Sequence, residues 1–473
     1  MMEVFPLRFR RKSANDILFV TEAGQSFLSD QGFLERLTSH ALSASDRDFL
    51  VSRGLAHEAP NDLNETAFLG RLARRQRPPG KLSYVILVPT LRCDLSCSYC
   101  QVSRAALNAK GFDWTPDRLA QVLGFLDREG GETTQVEFQG GEPTLRMDII
   151  LEVVSFCRTR FRECRFVICS NLSTLHPELT GLLASKDVHL STSLDGPPAV
   201  HTRQRTLQPD LTDRFCANLE QATTLAPGRV AALPTLDPEH LPDPSELLDA
   251  FAAYGMHSVY LRQVVYHGFA RKRHPGSRDY LAAWQGFYNH VVEEMIRRNA
   301  RSDDAVFDEF YLTLALKRLL RAGEDGHLDL RSPNWLGHDH LVIDHDGMLY
   351  PTDEARMLAR TGQIDLSIGH VAGGIDESAR RTMQERAFNA LDPWCSQCVY
   401  QAACGSDPID DIARSGRADP PRIDTAFCRR HMHIFDFATG LFCSDRPEVQ
   451  ASIAKWLGMP GPAKLIETHH DRA

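Results

Sequence analysis

Three cysteines stand within eight positions at Cys93, Cys97 and Cys100, in the stretch LRCDLSCSYCQ. Thiolates so spaced bind a metal centre, yet a closed tetrahedral site takes four ligands and no fourth Cys or His follows nearby. The set suits a labile zinc loop, or three irons of a cubane iron–sulfur cluster whose fourth iron stays open. A second group comprises Cys395, Cys398 and Cys404 in PWCSQCVYQAACGSDP, with Cys428 in TAFCRRH. Four thiols beginning with CxxC complete either a structural zinc site or a fully ligated cluster. The other five of the 12 cysteines, Cys157, Cys164, Cys169, Cys216 and Cys443, read as small buried hydrophobes.

These groups need a scaffold. The chain has 473 residues, 42% of them hydrophobic and 24% charged, which describes a globular protein of several domains. A net charge of -9 argues against a general binder of nucleic acid or of acidic membranes. No apolar run approaches the roughly 20 residues that cross a bilayer, and MMEVFPLRFRRKS lacks the apolar core of a signal peptide. A cytoplasmic, reducing location is expected, where disulfides are disfavoured. DILFVTEAGQSFLS reads as two strands around a glycine turn, followed by helical spacing and a Pro-rich basic linker, RRQRPPGK.

From Ser83 strand-like runs alternate with amphipathic stretches, at 83–89, 134–140, 164–170, 188–194, 229–236 and 258–266. Six such repeats predict a parallel sheet covered by helices, with chemistry at the C-terminal strand ends. The first cysteine loop begins where strand one ends. Two long helical stretches follow at 278–300 and 306–320, then a hairpin around Asp-Gly within 339–357. His338, His340 and His345 crowd that hairpin and read as exposed loop histidines.

CxxxCx(aromatic)C, with Tyr99 before the third cysteine, resembles the signature of the radical S-adenosylmethionine (SAM) enzymes. FQGGEPTL resembles their GGEP motif, CSNLSTL their third-strand end, and STSLDGPPAVHTRQR their SLDGP…H…R segment. Singly, GGEP is a turn and SLDG a strand end; the ordered set on successive strands carries the resemblance. It implies a partial (β/α)6 TIM-like α/β barrel and a [4Fe–4S] cluster on Cys93, Cys97 and Cys100 with SAM on its open iron. Tyr99, Gly140, Gly141, Glu142, Asn171, Ser193 and Arg205 would then contact SAM. Glu142 and the glycine backbone would hold its amino group, and Arg205 its carboxylate.

The second group resembles the SPASM extension of radical SAM enzymes that modify peptides. That module has seven cysteines and two auxiliary clusters, whereas here Thr352 and Pro408 stand where two of its cysteines are expected. The resemblance therefore implies one auxiliary [4Fe–4S] cluster, on Cys395, Cys398, Cys404 and Cys428. Asp353 follows Thr352 where some members carry a general base; a capping or solvated Asp is the plain alternative. Over nearly its full length the chain is similar to the His-Xaa-Ser system radical SAM maturases (HxsB type).

The expected organisation is an N-terminal α+β domain over 1–80, a radical SAM barrel over 81–305 and a helical bridge with shortened SPASM-like module over 306–473. The first resembles precursor-recognition domains that bind a leader peptide by strand addition. The implied activity is oxidoreductase-type modification of a ribosomally made peptide (a RiPP) or small protein, by crosslinking ahead of epimerisation or side-chain oxidation. Implied partners are that precursor, an electron donor such as flavodoxin or ferredoxin, and a second radical SAM protein, with no nucleic acid and no membrane. A non-catalytic peptide-binding partner and a zinc-stabilised scaffold remain the competing readings.

Overall fold

The computed structural model describes residues 2–279, 282–302, 305–322 and 327–470. Three antiparallel strands open the chain, β1 (Leu7–Arg11), β2 (Ile17–Thr21) and β3 (Ser26–Ser29), followed by helices α1 (Gln31–Thr38), α2 (Ala44–Ser52) and α3 (Leu63–Gln76). Asp30 and Asp62 cap α1 and α3, and Ser43 with Asp46 forms a capping box on α2. Ile17, Phe19, Phe27, Phe33 and Leu50 form a core of their own between this sheet and the helices.

The main sheet begins at β4 (Leu82–Thr90), and helices separate its next strands. These are α4 (Pro116–Glu129), β5 (Gly130–Gly140), α5 (Met147–Arg160), β6 (Glu163–Cys169), α6 (Pro177–Leu183), β7 (Val188–Thr192), α7 (Pro209–Leu225) and β8 (Val230–Ala232). All five strands are parallel. Period-two alternation decides which residues face where. Val136, Phe138, Phe166, Ile168, Val188 and Leu190 are buried in the core against the helices. The intervening Glu137, Gln139, Cys169, Ser191 and Ser193 line the interior.

The far side of the barrel departs from the sequence expectation. Residues 229–236 form two short strands separated at Pro234, which has no N–H to pair. Residues 258–266 give only two two-residue ladders, 258–259 with 308–309 and 262–263 with 235–236. A sixth parallel strand comes instead from the hairpin: β9 (His340–Ile343) pairs with β4, and β10 (Leu349–Tyr350) turns back antiparallel to it. The seven-stranded order is therefore β8-β7-β6-β5-β4-β9-β10.

Helices α8 (Pro244–Ala252) and α9 (Ala282–Asn299) pack on each other and back the barrel. Helix α10 (Phe310–Leu320) bridges to the C-terminal part, where α11 (Asp353–Arg360), α12 (Pro408–Ser415) and α13 (Ala426–Phe442) pack. The two departures from the SPASM pattern have structural tasks. Thr352 caps α11, its Oγ1 accepting from Ala355 N at 3.2 Å. Pro408 is the first residue of α12, where its missing N–H costs nothing. Helices α11 and α12 touch across an apolar cluster that includes Tyr350, Ala355, Leu358, Ile409 and Ala413. A strand β11 (Glu467–Thr468) from the C-terminus lies along β3. Among the described residues no helix is long and apolar enough to cross a membrane.

Candidate active site

A cavity of about 530 Å³ opens at the C-terminal ends of β4 to β7 and under residues 351–354. The cysteine loop forms one wall, with Cys93, Cys97 and Cys100 all lining it. Backbone contacts fix the loop. Ser98 N donates to Gln204 O at 2.8 Å, Phe269 N to Cys100 O at 2.9 Å and Arg273 to Cys97 O at 3.1 Å. Gly268 has φ +55 and lies so close to Gln101 O that a Cβ would sit 2.0 Å from it. Burial, with the Glu142 carboxylate nearby, pushes the Cys93 thiol up to about 12. Burial raises Cys97 against the opposing Arg205 charge.

The GGE loop sits where β5 ends. Gly140 and Gly141 line the cavity, and their lack of side chains lets the end of β4 approach them. A Cβ on either would lie 2.2 Å from the Thr90 or Arg92 carbonyl, while Gly141 N and Glu142 N donate to those carbonyls at 3.1 and 2.8 Å. Glu142 is buried, and its carboxylate accepts from Thr144 Oγ1 at 2.6 Å and Asn171 N at 2.8 Å. It fastens the loop to the end of β6, and burial raises its pKa. Asn171 reaches back to Asp94 at 2.7 Å and Cys93 Sγ at 3.8 Å, so three strand ends lock together.

Tyr99, within the cysteine loop, meets Arg205. Tyr99 OH donates to Asp195 Oδ2 at 2.7 Å and accepts from Arg205 at 2.7 Å. Asp195 is fully buried and also accepts from Thr235 N at 3.0 Å. Arg205 lies in a π-turn, Thr202–Thr206, of the kind often found at functional sites. Arg205 Nε, Thr192 Oγ1 and His340 Nε2, on residues that line the cavity, are buried without a hydrogen-bond partner among the described residues. Unpartnered buried polar atoms are costly, so the cavity suits a polar, partly anionic ligand. Ser193 lines the cavity beside them.

Asp353 lines it from above, its Oδ1 accepting from the buried Arg356 Nε at 2.7 Å. His340 and His345 are not exposed loop residues: His340 is in β9 and buried, and His345 is buried against Phe112. Cys169, read from sequence as a small buried hydrophobe, lines the cavity and donates to Glu137 Oε1 at 3.2 Å, while Tyr84 OH donates to Glu137 Oε2 at 2.6 Å. Burial first, then Glu137, raises the Cys169 thiol well above its usual range. The signal for this polar layer was present in TQVEFQG, where Glu and Gln alternate with Val and Phe.

The second group lies apart from the cavity. Cys395 lies in a turn capped by Asp392, Cys398 N donates to Cys395 O at 3.0 Å, Cys404 N to Tyr400 O at 2.7 Å, and Cys428 lies in the first turn of α13. Burial first, then Asp392 and neighbouring thiols, raises Cys395 to about 12, and burial first, then Cys398, raises Cys428 to about 11. The Arg422 charge opposes this at both. Four largely buried thiols beside guanidinium groups form a donor set suited to an anionic, fully thiolate-ligated cluster.

Residues 87–243 match the family model of the radical SAM superfamily. A solved structure described as native anSMEcpe with bound AdoMet is similar at a TM-score of 0.58 and 14% identity, covering 76% of this chain and 97% of that one. SuiB of Streptococcus suis bound to precursor peptide SuiA is similar at 0.52 and 14% identity, covering 91% and 100%. The PqqA peptide cyclase of Bradyrhizobium diazoefficiens is 41% identical over 66 residues, 14% of this chain and 17% of that one. An uncharacterized protein of Methanocaldococcus jannaschii is 27% identical over 118 residues, 24% of this chain and 39% of that one. The matched stretches thus span well under two thirds of these curated relatives.

Proposed function

We propose that this chain is a radical SAM enzyme that modifies a ribosomally made peptide or small protein, forming a crosslink within it. The observation that carries the reading is convergence: three thiols, the GGE loop, Asn171, Ser193, Arg205 and Asp353 meet around one cavity. A [4Fe–4S] cluster with SAM would supply radical chemistry for hydrogen abstraction from a peptide held in the cavity. Cys93, Cys97 and Cys100 would hold the cluster and leave one iron for SAM. Arg205 Nε suits the SAM carboxylate, and Thr192 Oγ1 its polar groups. Glu142, engaged with Thr144 and Asn171, acts by keeping the loop in place. Asp353, steadied by Arg356, takes a proton from the substrate as it is oxidised. The four later cysteines would hold an auxiliary cluster, which would supply one-electron redox chemistry. A flavodoxin or ferredoxin would be the low-potential donor, and a second radical SAM protein a further partner.

The test is iron and sulfide per chain after anaerobic reconstitution, with release of 5'-deoxyadenosine from SAM. About eight irons should fall to about four in Cys93→Ala/Cys97→Ala/Cys100→Ala, with cleavage abolished. Bound zinc with little iron would overturn the reading. Epimerisation is the second reading, because the Cys169 thiol in the cavity is placed to return a hydrogen atom. A crosslinked product lacks two hydrogen atoms, whereas an epimerised one keeps its mass and gains deuterium from heavy water.

A further inference from the structure

The cavity changes character with depth. Beside the cysteine loop Arg205 brings a positive charge to it. Three positions back along β5 from Gly140, roughly 10 Å down the strand, Glu137 brings a carboxylate into the same cavity. Among the described residues it accepts from three neutral groups, Tyr84 OH at 2.6 Å, Cys169 Sγ at 3.2 Å and Gln139 Nε2, and from no Lys, Arg or His. Asp353, by contrast, has Arg356 at 2.7 Å. Arg262 lines the cavity too, but its guanidinium lies over the Tyr260 ring, 5.7 Å from the centroid. The Glu137 charge acts on its neighbours: after burial, it is the largest cause that raises Cys169 and Tyr84.

His340 adds an acceptor to the same layer. It lies on β9 in register with Tyr84 of β4, is 3% exposed, and lines the cavity. Its Nδ1 is 3.2 Å from Asp339 Oδ1, which assigns the ring proton to that nitrogen. Nε2 then holds a lone pair, buried and without a partner among the described residues. The hydrogens of Tyr84 OH and the Cys169 thiol are already spent on Glu137. The layer therefore offers a ligand acceptors and a negative charge.

We propose that this layer is the subsite for a positively charged side chain of the substrate peptide, Lys or Arg, with Glu137 as its counter-ion and specificity determinant. Naming the ligand as a substrate residue rests on the peptide-modifying reading; the preference of the layer for a cation does not. A carboxylate has about four acceptor positions, and three of those on Glu137 are filled. A ligand that closes the cavity strips water from the remaining one, which is costly unless a charged donor replaces it. An apolar side chain leaves Glu137 unpaired, and an acidic one opposes it. Such a site rejects the apolar analogue because its own polar groups are left without partners.

The probes are the N-acetyl methylamides of lysine, arginine and norleucine, the last an apolar counterpart, bound to the full chain and followed by ligand-observed NMR. At least one cationic probe should bind wild type about tenfold more tightly than the norleucine probe. Glu137→Gln, which keeps the shape and removes the charge, should bring the two within about twofold. The tighter probe should also slow alkylation of Cys169 in wild type, which places it at this layer without any variant. No preference for charge, a preference that survives in Glu137→Gln, or an unprotected Cys169 would each overturn the proposal. So would displacement of the cationic probe by SAM, because Glu137 would then serve the positive groups of SAM itself. The readout is independent of SAM cleavage. A chain that binds the cationic probe yet takes up no iron would sink the peptide-modifying reading and leave the cation subsite standing.

Discussion

The two cysteine groups show opposite solutions to holding thiols. Cys93, Cys97 and Cys100 sit in an irregular loop on the wall of a cavity of about 530 Å³. The further thiol in that cavity, Cys169, is engaged with Glu137 on the sheet and does not complete the loop. Cys395, Cys398, Cys404 and Cys428 sit on turns and a helix start, outside that cavity, where burial and then their mutual proximity raise the pKa of Cys404 and Cys428. The open set lacks a fourth thiolate and adjoins unpartnered donors; the closed set is complete in thiols. An open set suits binding and reaction, a closed set storage or passage of an electron.

The largest effect that would break this contrast is the triple alanine variant of the open set, expected to end SAM cleavage outright while the closed set keeps its iron. Cys404→Ala should do the reverse. We expect half the iron to go and 5'-deoxyadenosine release to persist, while peptide product falls about a hundredfold. Equal loss of both activities would show that the two groups act as one. Asp353→Asn sharpens the contrast further, because it alters neither set of thiols. Product formation should fall about a hundredfold with iron content and SAM cleavage unchanged. An unaltered product yield would reduce Asp353 to the first acidic residue of α11.

Much of the open site was legible in the sequence because its parts are local. The cysteine loop, GGEP and Asn171 each sit at the end of a strand whose apolar run announces it, and those ends meet in any parallel sheet. What was not legible depends on partners far along the chain. β9 pairs with β4 across about 250 residues, so His340 looked like a loop residue. β11 crosses still further to reach β3, and no local pattern marks residues 467–468 as a strand. Cys169 was missed for another reason. Its neighbours Phe166 and Ile168 face the helices, and parity alone places position 169 inside; a thiol reads equally well as core. Strand 258–266 was overread, since an apolar run cannot tell a long ladder from two short ones.

The smallest effect concerns the bridge between the two groups. Helix α10 starts at Phe310 behind Glu309, whose carboxylate accepts from Tyr288 OH at 2.5 Å, Leu312 N at 2.6 Å and Leu261 N at 3.0 Å. The same helix carries Arg318, which donates to Ala403 O at 2.7 Å beside Cys404. No cation faces Glu309 in these contacts, so burial outweighs its donors and raises it from 4.5 to about 7. A raised acid binds more protons folded than unfolded, so its contribution is full below 4.5 and declines as pH rises through 7. The decline should be on the order of 3 kcal/mol. Amide exchange at Leu312 and Leu261, corrected for intrinsic rate, should quicken across that range in wild type. In Glu309→Gln it should stay flat, because a neutral amide cannot ionise. A wild-type profile as flat as the variant's would mean that the ionisation of Glu309 does not loosen the bridge.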